Sequence, residues 1–436
     1  MRPRAFLLCF LILAAVARAQ YMETTINLGV SPLAILWHAT SNKVYTGNAP
    51  NTVSVIGGSS NQIDATIPVP LVPLGLCSSP SLNKVYVACT NDTVVVIDGL
   101  GDSILARVEV PGGPWHLAYS AKSEKLYVSC ELHGRIVVID GNSDTIIREV
   151  ELTRYGKTTM LWNRGSNRLF CTSESDTVWV LDCETDEVVV RTQVEGSDGT
   201  WCYNPANEMS YLEGRRGIYV FSSMGDSIVE YVPGCSVPVC FAPFPNKLYT
   251  SYYPGQIRVL DCRTHTVTET LATYLGPFVC DTVKGKVYVG YAHKTDSLGV
   301  IDARADTLLE QIPCVGTRYA ACWNQTDSRV YFINPDVGLI YVIRDTSAGV
   351  VETPDAGHRA IDVGPTIVRG VLFLPPSSFT LHYSLFTISG QKGLNLSSGP
   401  NDVSNLAPGV YFVRSEPLAV SREPSAVTVR KVVVAR

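Results

Sequence analysis

The sequence predicts an all-β protein built mainly as an eight-bladed β-propeller, and two repeated markers carry that prediction. The first is "NKVY" or its echo, at Asn42, Asn83, Glu124, Asn167, Asn207, Asn246, Gly285 and Ser328. The second is "VxVID", whose fourth residue falls at Ile56, Ile97, Ile139, Leu181, Phe221, Leu260, Ile301 and Ile343. Both markers step by about 41 residues through eight copies. A period of about 40 residues made only of strands and turns is that of a propeller, with one four-stranded blade per repeat. Seven blades with one degenerate unit is the alternative count.

The first element is a leader. Arg2 and Arg4 precede an apolar run from Ala5 to Val16, and Ala17-Arg18-Ala19 supplies the small residues of a cleavage site. This predicts a secretory signal peptide over 1–19, cut before Gln20. The run is too short to span a bilayer, and no later segment is long and apolar enough. The next stretch, "METTINLGV" (Met22–Val30), reads as a blade's fourth strand without the first three. It is expected to pair into the last blade and tie the ring shut. "VVETPDA", after the eighth repeat, is the alternative source of that strand.

The propeller is expected over 20–357, and blade three shows the order of its strands. Strand a is "WHLAYS", b is "KLYVSCE", c is "RIVVIDG" and d is "DTIIREVEL". The turns "SAKSE" and "GNSD" hold the Ser, Asn, Asp and Gly that tight connections favour. Strands b and c are apolar at consecutive positions, as in Val85–Ala88 and Val94–Ile97. A strand packed between two neighbouring blades is buried on both faces, so the usual alternation is lost.

Composition narrows the partners. The 436-residue chain has a net charge of −5 and no long basic run, which argues against nucleic acid. Of 13 cysteines, Cys9 lies in the leader. The rest form no C-x-x-C pairs, so no zinc site is expected. Many fall within strands (Cys77, Cys89, Cys130, Cys202, Cys240, Cys280, Cys322), where cysteine serves as a small buried hydrophobe. Export would permit disulfides, but their connectivity cannot be read from sequence.

The "NKVYV…TVVVIDG" pattern resembles the YncE-like surface β-propeller repeats named for a Tyr-Val-Thr-Asn motif, over about 330 residues. The resemblance implies the fold and a secreted setting. It implies no single activity, because that repeat class serves many roles.

The period stops after Gly357, and 358–436 form a second domain. "GVLFLP", "TLHYSLFTISG", "GVYFVR" and "AVTVRKVVVAR" alternate strands with turns and predict a small antiparallel, Ig-like sandwich. "LFTISGQKG", then "NDVSNLAPGVYFVR", then the basic-apolar "RKVVVAR" resemble the C-terminal sorting domain of type IX secretion substrates. Gly409, Val410, Tyr411, Phe412 and Lys431 fall in that motif. The resemblance implies export, translocation by outer-membrane secretion machinery and display on a bacterial cell surface.

Catalytic signals are sparse. The inner strands, from "LAILWHA" in blade one to "YAACWN" in blade eight, contain a single acidic residue, Asp281. A metal-dependent lactonase would need several carboxylates, Asn or His converging on an ion. His38 and His116 stand alone there and are expected to be packed or hydrogen-bonded. No G-x-S-x-G with a plausible triad order occurs. The recurring Asp of "VID" (Asp98, Asp140, Asp182, Asp261, Asp302) is read as a turn starter. No catalytic residue, metal or cofactor is expected.

The two rims of the ring should differ. The a–b and c–d turns carry the repeated residues and are structural. The b–c and d–a loops emerge on the other rim and vary. They hold Trp115, His116, His133, Arg154, Tyr155, Lys157, Arg215, Arg216, Tyr252, Tyr253, Tyr274, His293, Arg318 and Tyr319. Aromatic and Arg side chains on loops of a rigid scaffold make good binding anchors. The leading expectation is a non-catalytic module that binds a protein or glycan. The alternatives are a propeller enzyme (lactonase or quinone-dependent dehydrogenase) and a structural surface-layer component.

Overall fold

The computed structural model describes residues 19–347 except 155, 174–175, 197–198, 226, 244, 253–254, 272–275, 291–296 and 315–319. Further on it describes 366–368, 371–374, 381–387, 392–396, 399–402, 406, 409–417 and 428–434. The chain divides into two compact units, Met1–Val350 and Val351–Arg436. Among the described residues there is no helix that could cross a membrane.

Eight four-stranded antiparallel sheets form the first unit, which is a propeller of eight blades. Blade 1 comprises strands a to d at Ser31–His38, Lys43–Ala49, Thr52–Gly57 and Ile63–Pro68. Blade 3 comprises Pro114–Ser120, Lys125–Cys130, Arg135–Asp140 and Thr145–Glu151. The a strands of successive blades lie side by side, and that of blade 8 (Ala321–Asn324) returns to that of blade 1. The ring is closed by the N-terminal strand Gln20–Asn27, which pairs antiparallel with Leu339–Asp345 as the fourth strand of blade 8. The alternative source, "VVETPDA", lies outside the described residues.

Burial explains the lost alternation. In blade 2, Val85, Val87, Val95 and Ile97 pack toward blade 1 with Tyr45, Val53 and Val55. The intervening Tyr86, Ala88, Val94 and Val96 pack toward blade 3 with Leu117, Leu126 and Val137. All eight blade-2 side chains are fully buried. Each fully buried valine or isoleucine contributes about 1.5–3 kcal/mol. The outer d strands keep only one face covered, and each bulges at one register position, as between Val138 and Ile139 in blade 3. A bulged, twisted outer strand is a poor template for pairing with another chain.

The first marker is a backbone device. Asn42, Asn83, Glu124, Asn167, Asn246, Gly285 and Ser328 all have φ between 52° and 68°, the left-handed region. Blade 5 departs from the sequence reading. Its left-handed residue is Glu208 (φ 58°), not Asn207. The fully buried Tyr211 takes the place of Tyr45, which shifts the repeat by one, and the Asn207 side chain instead accepts from the Met209 amide at 3.1 Å. The "VID" aspartates do start turns. Asp140 Oδ1 accepts from the amides of Asn142 (3.1 Å) and Ser143 (2.8 Å). Asp182, Asp261 and Asp302 accept equivalent bonds.

The c–d turn also fastens neighbouring blades. Lys43 donates to Asp102 of blade 2 at 2.6 Å, and Tyr45 OH donates to its other oxygen at 3.1 Å. Lys125 and Tyr127 grip Asp186 of blade 4 at 2.7 and 2.8 Å. Lys247 and Tyr249 grip Asp306 in the same way, and Lys286 and Tyr288 meet Asp345. At the last seam Arg329 bonds the Gly58 and Ser59 carbonyls, and Tyr331 OH reaches Asn61 at 2.9 Å.

The second unit contains a five-stranded and a two-stranded sheet. Gly409–Pro417 pairs antiparallel with both Leu381–Thr387 and Thr428–Val434. The expected wholly antiparallel arrangement fails at one edge, where Thr366–Val368 runs parallel to Thr428–Val434. The sorting-motif residues lie in adjoining strands, with Phe412 opposite Lys431 and Tyr411 opposite Val432.

Asp186 tests the fastening. Its carboxylate is buried and gripped by two donors from blade 3, so Asp186→Ala should destabilise the protein by about 2–4 kcal/mol. Glu187→Ala, which removes an exposed 3.7 Å pair with Arg148, should change it by less than about 0.5 kcal/mol. Urea unfolding of the two variants measures the difference.

Candidate functional site

Among the described residues the variable rim shows local groups. The best defined lies between blades 3 and 4. Trp115 begins near the start of strand a of blade 3, and Lys157 Nζ sits 4.1 Å from the centre of its ring. Lys157 also pairs with Glu131 at 3.4 Å. A cation over an indole face with a carboxylate beside it holds the tryptophan in one orientation. Leu132, His133 and Arg154 are exposed in the same loops, Leu132 at 61 %.

Backbone geometry positions this group. The amides of Gly112 and Gly113 donate to Asp92 Oδ1 at 2.9 and 2.8 Å, which ties the d–a loop to blade 2. The Gly113 and Gly112 carbonyls accept from the Glu131 and Leu132 amides. Gly112 has φ +109°, and a Cβ there would lie 2.5 Å from the His133 ring, so glycine is required.

Arg215 and Arg216 form the exposed tip of the b–c turn of blade 5. Beside it the rings of Tyr219 and Tyr231 lie 4.7 Å apart, and Tyr219 OH accepts from the Glu195 amide at 2.9 Å. Tyr252 of blade 6 carries the Arg258 guanidinium 3.9 Å from its ring centre. Tyr155, Tyr253, Tyr274, His293, Arg318 and Tyr319 lie outside the described residues. The sequence singles out Trp115, Lys157 and Tyr252 by type, but not Glu131, which pairs with Lys157, or Arg258, which lies over Tyr252. The doublet Gly112-Gly113 was the available signal for a constrained loop.

The inner-strand residues divide by depth. His38 ends strand a of blade 1, is fully buried, and its Nε2 lies 2.9 Å from Asn83 Oδ1 of the next blade. Asp281 ends the same strand of blade 7, is fully buried, and accepts from the Val283 and Lys284 amides at 2.9 Å. Burial pushes its carboxyl up to about 6. His38 thereby joins blades 1 and 2, while Asp281 caps the a–b turn of its own blade. His116 is different. It is half-buried, and burial pushes the imidazole down to about 4; its Nδ1 has no partner, as is also true of His38 Nδ1 and Asp281 Oδ2. Among the described residues no three His, Cys, Asp or Glu gather to hold a metal ion.

No known family profile and no curated protein sequence matches the chain. Solved structures do match its shape. BamB from Moraxella catarrhalis aligns with a TM-score of 0.61 at 14% identity, over 74% of this chain and 99% of that one. Sqt1 from Saccharomyces cerevisiae gives 0.61 at 12% identity, over 74% and 99%. The β-propeller domain of Cps50 (Swd1) from Myceliophteria thermophila gives 0.52 at 10% identity, over 74% and 99%. At these identities the likeness is one of fold alone.

The neutral state of His116 has a pH signature. Its value falls from the usual 6.5 to about 4 in the folded protein, so the unfolded chain binds the proton first. Its contribution is intact above 6.5 and is lost as pH falls toward 4. His116→Gln should therefore lose less stability than the parent between these limits, as read from urea midpoints at pH 7, 5 and 4. Equal losses would refute the assignment.

Proposed function

We propose that the protein is a YncE-like propeller, exported from a bacterial cell and displayed on its surface, that binds a protein or glycan through its variable rim without catalysis. The observation that carries this reading is the contrast between rims. One rim is committed to the Asp-centred seam contacts. The other presents Trp115, Leu132, Arg215 and Arg216 on loops held by backbone hydrogen bonds. Pre-ordered aromatic and cationic side chains lose little entropy on binding.

Two features support the route. The closing strand begins at Gln20, the first residue after the expected signal cleavage at Ala17-Arg18-Ala19. Removal of 1–19 would leave that strand whole. In the second unit the motif Gly409–Phe412 pairs with the strand carrying Lys431, so the features that resemble a sorting domain adjoin in one sheet.

Pull-downs against surface proteins and glycan arrays identify the ligand. Replacing Trp115, Tyr155 and Arg318 together with alanine should weaken its binding about tenfold or more, while the melting temperature stays within about 3 °C of the parent. Undiminished binding would remove the rim from consideration, and turnover of a lactone or an alcohol would replace this reading with an enzymatic one. Deleting the chain from Gly364 onward should abolish surface display, read by protease accessibility on intact cells, while the propeller stays folded.

A further inference from the structure

The inner strands obey a positional rule. Counting back from the last residue of strand a, the residue two places earlier packs toward the following blade, and the residue one place earlier packs toward the preceding blade. Cys77 of blade 2 thus meets Tyr119 of blade 3. Ala118 of blade 3 meets Trp162 of blade 4. Cys322 of blade 8 meets Trp37 of blade 1. At these seams a small side chain faces a large aromatic one, which fills the gap where the blades converge.

The seam between blades 6 and 7 breaks the pattern. Here the two positions are Cys240, on the strand Ser236–Ala242, and Cys280, on the strand Phe278–Asp281. The strands are neighbours, and the two thiols share one core cluster and a side-chain hydrogen bond. Each cysteine is 8% exposed. Two other close cysteine pairs, Cys171 with Cys183 and Cys202 with Cys262, also share clusters. Cys171 interacts electrostatically with Cys183, and Cys202 does so with both Cys240 and Cys262, so Cys202 is a second thiol near Cys240.

We propose that Cys240 and Cys280 are a disulfide-forming pair whose oxidation links blades 6 and 7 at the inner ring. The substrate class is a small disulfide such as oxidised glutathione. The thiolate of one cysteine attacks the glutathione disulfide and releases one glutathione. The second cysteine then displaces the other glutathione and completes the protein S–S bond. Two cysteine thiols lose two hydrogens, and one oxidised glutathione becomes two reduced ones. The closed loop spans one whole repeat, so the link restrains the unfolded chain as well as the seam.

The Cys280 hydrogen bond and burial hold the Cys240 thiol well above its usual range, so little thiolate is present at neutral pH. The full-length reduced chain is therefore incubated overnight with oxidised glutathione at about pH 9, quenched with N-ethylmaleimide in acid denaturant, and digested without reductant. The expected product is a linked peptide pair containing Cys240 and Cys280, lighter by two hydrogens and separated by dithiothreitol. Thiol titration should fall by two groups, and Cys280→Ala should yield no linked peptide and a fall of at most one group, held as a glutathione mixed disulfide. Recovery of both cysteines as maleimide adducts would overturn the proposal, and so would a dominant link between Cys171 and Cys183, between Cys202 and Cys262 or between Cys202 and Cys240.

Discussion

A lysine and a tyrosine two residues apart on strand b cross a blade seam to one aspartate in the next c–d turn. Lys125, Tyr127 and Asp186 are the plainest case, and Asp186 is left only 5% exposed. Burying a lone carboxylate would cost several kcal/mol. Here the carboxylate receives one charged and one phenolic donor, while the lysine also donates to the Cys183 and Glu184 carbonyls. The contact favours one rotation of one blade against the next, because any other leaves a buried charge unpaired. Apolar packing brings the blades together, and the grip on aspartate fixes their register.

Seams that lack this contact show what else can hold a ring. Between blades 4 and 5 a phenylalanine, Phe170, replaces the tyrosine. It packs 5.6 Å from Trp201 and 6.2 Å from Phe221, while Arg168 donates to the Met224 carbonyl. Between blades 5 and 6, His265 stands where the aspartate would be and meets Tyr211 edge-on at 6.2 Å. Between blades 2 and 3, Lys84 takes both oxygens of Asp144, and Tyr86 stacks on Tyr119 instead. The geometry of the ring is shared, but the chemistry of each seam is local. The rim that carries these contacts is committed to holding neighbouring blades together.

The blades were legible in the sequence because each marker answers a local demand. A residue at positive φ recurs wherever a tight a–b turn is needed, and an aspartate recurs wherever a turn needs its amides capped. The seam contact was not legible, since Lys43 and Asp102 lie 59 residues apart and belong to different repeats. The same residues were correctly read as structural, but for the turn alone. Asn207 shows the limit of matching letters: the buried Tyr211, not the nearest asparagine, sets the register of blade 5. On the rim, Trp115 was singled out by type. Its partnership with Lys157 and Glu131 depends on how two loops from different blades meet, which no local pattern encodes.

Closure of the ring joins the two ends of the propeller through one side chain. Arg329 on strand b of blade 8 forms a two-point pair with Glu23 of the N-terminal strand, both bonds at 2.6 Å. The same guanidinium donates to the Gly58 and Ser59 carbonyls of blade 1. Glu23 is correspondingly held below the usual carboxylate range by the Arg329 hydrogen bond. Completing blade 8 with its fourth strand and sealing blade 8 to blade 1 therefore draw on one guanidinium. Each contact orients the arginine for the other, so the last strand and the last seam support one another. A segment from the start of the chain thereby stabilises the ring at its weakest topological point, where no continuous backbone links the outer strand to the rest of its blade.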